Sequence, residues 1–495
     1  MARTTRIFLS IVVVMTLAPV ATAATRYLQV ADGSWGTAAN WGGNKPGTND
    51  YAVVGATSGG VTTGLARVTT SSGNSCKALE LGYQASTSGT LVLSGSGKLT
   101  SSWEYIGDSG TGLFQQTGGT HILTNSDGMW LGYNVGAVGT YELSDGAIQN
   151  GGSSNNNYVK KYIGYYGTGI FTQTGGTHTL TDQMTLGVAS GSSGTYTLTG
   201  GSLNTQKNLT GGVFVGGGGN GTFYLGNATS TGTMGQSGSG SNGGALSVRD
   251  GYFSTGSGKF IGWGDVGYTG WFQNSGQVIA DGYGQDRDLN MSSFTSLTQD
   301  LNNTTTNGWF ATNHGRLILP QVSISARSTP KSYNWGEAVY GTSYGQDTTL
   351  DMVNSVQMEF ASVTAAGRVD IALLASERED VAAGLVNPVG IWDFSISSGL
   401  AFSNADLTFR YDDASAAALG VSEADLKLFH FDQGQWQEVT SVVLDENTNT
   451  LQASGLTSFS TYAVATAVIP EPGMLSLLGI GFLSLLVGTS RQHGR

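Results

Sequence analysis

From Leu79 to Ile279 apolar and polar residues alternate in short bursts closed by glycine. In Gly194-Thr-Tyr-Thr-Leu-Thr-Gly-Gly201, Tyr196 and Leu198 share one face, and Thr195, Thr197 and Thr199 share the other. Period two is the signature of a half-buried strand. The apolar face is expected to be buried and the threonines exposed, since β-branched Thr suits an outer pleated surface. The pattern recurs. Phe171–Leu180 nearly copies Phe114–Leu123, and Gly89–Gly95, Gly139–Gly146, Gly221–Gly226 and Gly270–Gly276 are sister phrases. Before each phrase comes a short apolar strand ending in glycine, at Gly82, Gly107, Gly132, Gly164, Gly187, Gly216 and Gly262. These glycines lie 25, 25, 32, 23, 29 and 46 residues apart.

A period in the twenties built from short strands predicts a right-handed parallel β-solenoid, with stacked coils supplying each other's core. The longer gaps read as insertions, Gly151–Lys161 being one, and the 46-residue gap fits either two coils, one of them degenerate, or a long loop around Thr231–Gly244. One position departs from the simple pattern. It is Leu93, Leu143 and Leu198 in three phrases but Gln116 and Gln173 in the two near-copies. A buried Gln needs partners for its amide. It bonds either to backbone at a turn, in one phrase per coil, or to another Gln, in two phrases per coil. One phrase per coil is the preferred reading.

Flanking segments differ. Residues 24–78 carry Trp35 and Trp41 and are read as an N-terminal cap over the solenoid's open edge, with sugar stacking as the functional alternative for the two rings. The solenoid is assigned to 79–320. From 321 to 466 glycine thins out, and eight strand-like runs separated by Asp/Asn/Gly turns predict an antiparallel β-sandwich. An amphipathic helical pattern stands out only around Ala414–Leu428. Asp445-x-Asn447-x-Asn449 lacks the glycine and distal Glu of a calcium loop and reads as a hairpin turn; the acidic stretch Asp281–Asp288 matches no calcium loop either.

Composition narrows the class. Hydrophobic residues at 39% and aromatics at 10%, in period-two patterns, argue for folded β structure although charged residues are only 11%. With 22 basic against 34 acidic residues, no basic stripe exists for nucleic acid. Cys76 is the single cysteine, so no intramolecular disulfide forms, and it reads as a half-buried structural residue.

The ends carry addresses. Arg3 and Arg6, the apolar run Ile7–Val20 and the small residues Ala21-Thr22-Ala23 have the layout of a signal peptide over 1–23, cut after Ala23. Within 467–495, Pro470-Glu471-Pro472 precedes a mostly apolar run over 473–489 and then Arg491, His493 and Arg495. That run is near the lower limit for spanning a bilayer, with its positive end inside. This tail resembles the PEP-CTERM sorting signal. The resemblance implies a membrane-held processing step by an exosortase-type enzyme, a transient stay in the inner membrane, and delivery to the cell surface or extracellular matrix of a Gram-negative bacterium. The repeats are also similar to those of exported β-helix proteins with this tail and, more loosely, to autotransporter passengers.

Three function classes bear on this chain. A polysaccharide lyase or hydrolase needs clustered carboxylates, but Glu80, Glu104, Asp108, Asp127, Glu142, Asp145, Asp182, Asp250 and Asp265 share no repeat position. His121 and His178 occupy equivalent repeat positions and are expected to face solvent. Ice binding needs an unbroken Thr ladder, which Val92, Gln115 and Glu142 interrupt. The sequence therefore favours an exported non-enzymatic surface or matrix protein, structural or adhesive, associated with exopolysaccharide or other surface glycans. No catalytic residue, cofactor or metal site is assigned, and the site residues are those of sorting (Pro470, Glu471, Pro472, Arg491, Arg495) and signal cleavage (Ala21, Ala23).

Overall fold

A computed structural model of the chain describes residues 23–151, 159–205, 212–229 and, with short interruptions, 245–335 and 355–468. The chain is all-β, with about eight solenoid turns between Thr25 and Leu225. Each turn sends one strand into each of two parallel ladders. The first ladder stacks Thr25–Tyr27, Tyr51–Val54, Ala78–Leu81, Trp103–Ile106, Asp127–Leu131, Lys160–Ile163, Met184–Leu186 and Gly212–Val215. The second stacks Asp32–Ser34, Thr63–Val68, Ser88–Leu93, Thr111–Leu123, Val138–Asn150, Thr168–Leu180, Ser193–Thr205 and Asn220–Leu225. One repeat phrase makes one coil, because Leu93, Gln116, Leu143, Gln173, Leu198 and Leu225 follow one another in register.

The glycine after each short strand has positive φ, for example 71° at Gly107 and 63° at Gly132. A Cβ on Gly107 would lie 2.2 Å from the carbonyl oxygen of Val138, so the corner admits no side chain. The long strands bend at a second glycine corner, Gly119 in one and Gly146 in the next, where the register also shifts. Each coil thus has a short face, a first arm such as 111–117 and a second arm such as 120–123. Inside, Phe114, Tyr141, Phe171, Tyr196 and Phe223 lie at one register position, and their rings stack 4.6–5.2 Å apart along the axis. Aromatic pairs of this kind contribute ~0.5–1.5 kcal/mol each beyond the area they bury.

Residues 24–78 differ from the expected cap. They supply the first two strands of both ladders, in parallel register with the coils stacked on them. Trp35 and Trp41 are buried edge to face, 5.1 Å apart, in the first coils, which removes them from sugar stacking. Cys76 is fully rather than half buried. Thr195 and Thr197 are half-buried instead of exposed, flanked by residues of the coils on either side. Tyr141, Phe171, Tyr196 and Leu198 are buried as expected.

Beyond Leu225 both ladders continue through shorter strands, and two phrases change places. Lys259–Gly262, expected among the short strands, pairs with Asn220–Leu225 in the second ladder. Trp271–Gln273, expected among the long ones, joins the first through Tyr252–Ser254. Insertions lengthen the spacing here, so sequence order no longer gives the face.

A third set of parallel strands, Gly264–Asp265, Leu289–Asn290 and Arg316–Ile318, leads out of the solenoid. Arg316–Ile318 pairs antiparallel with Gly367–Leu374, and the sheet runs on through Gly390–Ile396, Thr461–Ala465, Lys427–Asp432 and Gln435–Glu438. That edge of the solenoid is therefore covered by pairing. A second antiparallel sheet orders Lys331–Trp335, Ser355–Phe360, Ala405–Arg410, Thr450–Leu456 and Val442–Asp445. The two sheets meet through Phe394 and Phe409, 6.2 Å apart, and Phe409 and Tyr462, 5.8 Å apart. The Asp445–Asn449 stretch is the expected hairpin turn, with the Asn447 amide donating to Asp445 Oδ1 at 3.0 Å. The helix expected over Ala414–Leu428 shrinks to Asp413–Ala418 plus a single 3-10 turn, Glu423–Asp425.

Candidate functional site

Of the sorting and cleavage residues, Ala23 lies exposed at the start of the described chain. Ala21, Pro470, Glu471, Pro472, Arg491 and Arg495 lie outside the described residues, as does the apolar run 473–489. No helix among the described residues is long and apolar enough to cross a membrane.

Two constellations within the solenoid carry chemistry, and each arises from strand alternation. The first is on the outer surface of the short-strand ladder. Leu79 and Leu81 point inward, so Glu80 points out, and its register partners on the next three coils are Tyr105, Trp130 and Tyr162. Directly after the corner glycines comes a second column, Tyr83, Asp108, Tyr133 and Tyr165. Tyr105 stacks on Trp130 at 4.9 Å and Trp130 on Tyr162 at 5.8 Å. Tyr133 stacks on Tyr165 at 5.5 Å. The columns interlock edge to face, Tyr105 to Tyr133 at 4.8 Å. Tyr166 stands at the margin, T-shaped against Tyr165 and 48% exposed.

Each stack of rings thus has a carboxylate on the coil before it, Glu80 before Tyr105 and Asp108 before Tyr133, and both are half-buried. Burial, and then the charge of Asp108, pushes the Glu80 carboxyl up to about 7. Burial pushes Asp108 up to about 6, although Asn134 Nδ2 donates to its Oδ1 at 3.2 Å. Burial likewise moves the Tyr105 and Tyr162 phenols up to about 12, so both donate as neutral hydroxyls at neutral pH. Ring faces inside the columns are taken by neighbouring rings. Ring edges, the hydroxyls, Tyr166 and the acidic end remain for a ligand.

The second constellation is inside the coils and explains the Leu/Gln alternation. Coils with Gln116 or Gln173 also carry His121 or His178 on their second arm, and the following coil presents Tyr141 or Tyr196. Tyr141 donates to Gln116 Oε1 at 2.6 Å and meets His121 Nδ1 at 2.9 Å. Gln116 Nε2 donates to the carbonyls of Gly119 and Ala147. The second node repeats this, with Tyr196 on Gln173 Oε1 and on His178 Nδ1 at 3.1 Å. The histidines expected to face solvent are fully buried. The physical reason is the glycine corner, which reverses which residues of the second arm point inward.

The nodes differ at one place. In the first, Glu104 Oε1 accepts from Ser101 at 2.7 Å and meets His121 Nε2 at 2.7 Å. In the second, Lys161 occupies the ladder position of Glu104 two coils on, and His178 Nε2 has no hydrogen-bond partner. Burial, then the charges of Lys161 and His121, holds His178 well below the usual imidazole range, hence neutral. Burial also brings Lys161 down to about 7, opposed by Asp182 and Glu104. Glu104 and the two histidines belong to this core network, so they are closed to surface chemistry. Among the described residues no His/Cys/Asp/Glu group is arranged to hold a metal. In the acidic stretch, Asp288 pairs with Arg316 at 2.7 Å and Asp281 Oδ1 accepts from Tyr283 N and Asn313.

Sequence reasoning missed the outer columns, although a signal was present: aligned on the corner glycines, Tyr105, Trp130 and Tyr162 each lie two residues before a glycine. No protein-family model matches the chain, and comparison with curated proteins and with solved structures gives no match.

Proposed function

We propose that this chain is an exported, non-enzymatic surface or extracellular-matrix protein that binds exopolysaccharide along the outer face of its solenoid. The observation that carries the reading is the pair of aromatic columns, Tyr105–Trp130–Tyr162 and Tyr133–Tyr165, with Glu80 and Asp108 at one end. Ligand sites combine apolar and aromatic surface with a few polar groups that fix orientation. A saccharide offers both apolar C–H patches and hydroxyls, and the columns extend along the axis at ~4.8 Å per coil, suited to a linear chain. In this reading the solenoid is right-handed, and the antiparallel sheets behind it form a β-sandwich that spaces the binding face from the tail. The tail, with Pro470-Glu471-Pro472, the apolar helix and Arg491 and Arg495, is a PEP-CTERM signal that holds the protein in the inner membrane until an exosortase-type enzyme processes it. The signal peptide, cut after Ala23, begins the export route.

The raised Glu80 and Asp108 carboxyls favour a second reading, a polysaccharide hydrolase or lyase, because perturbed acids in pairs suit general acid–base work. One experiment separates the two. The protein is passed over a panel of immobilised polysaccharides, and the supernatants are assayed for reducing and unsaturated sugars. Retention without sugar release, lost in Trp130→Ala/Tyr133→Ala, fits the binding reading. Sustained release abolished by Glu80→Gln installs the enzyme instead. No retention on any glycan refutes both.

A further inference from the structure

The second interior node leaves a buried amine against a carboxamide. Lys161 is fully buried, with Met129 and Met184 as its ladder neighbours. Its Nζ donates to Asn150 Oδ1 at 3.3 Å, from the coil before. The other end of that amide is also held, since Asn150 Nδ2 donates to Thr181 Oγ1. The residue after Thr181 is Asp182, itself buried.

We propose that Lys161 and Asn150 join in an intramolecular isopeptide bond, with Asp182 carrying the proton. Lys161 Nζ attacks Asn150 Cγ, the new C–N bond forms, and the C–Nδ2 bond breaks. The proton released by Nζ passes through the Asp182 carboxylate to Nδ2, which leaves as ammonia. Lys–NH2 and Asn–CONH2 thus become Lys–NH–CO–Asn and NH3, with no change of oxidation state. Three features of the site favour the step. Burial of the amine raises its neutral, nucleophilic fraction at neutral pH. Asp182 is buried and directly follows the Thr181 that holds the Asn150 amide; its charge favours the ammonium form of Lys161, so its part is to take up the proton rather than to free the amine. The common competing reaction at an Asn–Gly pair, attack by the next backbone nitrogen to give a succinimide, is opposed here because Gly151 N donates to the Leu123 carbonyl at 2.7 Å.

The bond would tie the end of Val138–Asn150 to the start of Lys160–Ile163, across the insertion that interrupts the repeat. It would fasten two coils covalently at the point where the chain leaves the ladder. A single bond of this kind limits unfolding of the coils it joins under load, whatever ligand the outer face takes.

The test is mass spectrometry of the full chain, purified folded, followed by a proteolytic map. The expected result is an intact mass lower by one ammonia and a branched peptide that links Asn150 to Lys161, with no cleavage by trypsin after Lys161. Asp182→Asn, shown to be folded by circular dichroism, should leave most molecules unlinked, and Lys161→Arg all of them. An unmodified wild-type Lys161 whose amine reacts with an acylating reagent after unfolding overturns the proposal. So does an ammonia loss that maps to a linear Asn150–Gly151 peptide.

Discussion

Replacing Tyr141 by Phe tests whether the interior nodes hold the solenoid together. The change keeps the ring and its stacks on Phe114 and Phe171, at 4.6 and 4.8 Å, and removes one oxygen. That oxygen serves Gln116 Oε1 and His121 Nδ1 at once, in a part of the core with no solvent access. Each buried polar atom left without a partner costs about 1–3 kcal/mol, so the two together give about 2–6 kcal/mol. The asymmetry of buried hydrogen bonding supplies a control. Converting the whole node with Glu104→Met, Gln116→Leu, His121→Ile and Tyr141→Phe copies residues that neighbouring coils already carry, Met129, Leu143, Ile148 and Phe171. This fourfold variant leaves the Ser101 hydroxyl without its partner and takes the Gln116 amide from the Gly119 and Ala147 carbonyls, but it leaves no buried side-chain amide or imidazole unpaired and should regain part of the loss. The assay is urea unfolding followed by circular dichroism, with hydrogen exchange over 111–150 because stacked repeats open locally. An unchanged midpoint and unchanged exchange in Tyr141→Phe, or a fourfold variant less stable than the single one, would refute the reasoning.

Single positions give three more predictions. For Glu80 the folded carboxyl lies near 7 against an ordinary 4.5, so the group contributes stability that is present below about 4.5 and lost as pH rises through about 7. Glu80→Gln should match the wild type in melting temperature at pH 4 and exceed it at pH 8; the reverse order would show that the carboxylate is stabilised when charged. Tyr196→Asp places an unpaired charge at a fully buried site and should cost more than about 4 kcal/mol, read from the urea midpoint. Gly132→Ala forces a φ of 63° and sets a Cβ 2.3 Å from the Thr168 carbonyl oxygen. The backbone term alone is ~1–2 kcal/mol, so a melting temperature equal to wild type would contradict the corner geometry.

Much of the solenoid was legible because its period is local. Glycine spacing and Tyr196/Leu198 alternation place residues correctly wherever coils have standard length. Reading failed where the inward face depends on a corner. His121 and His178 lie past a second glycine that resets the alternation, so a face counted from Phe114 or Phe171 does not carry across. It failed again at Lys259–Gly262 and Trp271–Gln273, where the residue count between strands no longer reports the ladder. The N-terminal segment lacks the Gly-Thr phrases, yet Trp35 and Trp41 fill the same interior volume with larger rings, which no repeat search detects. The outer columns were hidden for a different reason. Their residues are scattered along the sequence, and only coil stacking brings Glu80, Tyr105, Trp130 and Tyr162 into line. The Leu/Gln alternation was visible in the sequence, but its meaning required the Tyr of the next coil.

Hydrogen exchange with mass spectrometry, on the protein with and without a polysaccharide it retains, tests the proposed function most directly. Glycan bound along the aromatic columns should slow exchange in 103–108, 127–134 and 160–166 and leave the antiparallel sheets from Ser355 to Ala465 unchanged. Trp130→Ala/Tyr133→Ala should erase that protection at the same glycan concentration. Protection confined to the antiparallel sheets, or unaffected by the double substitution, would contradict the account.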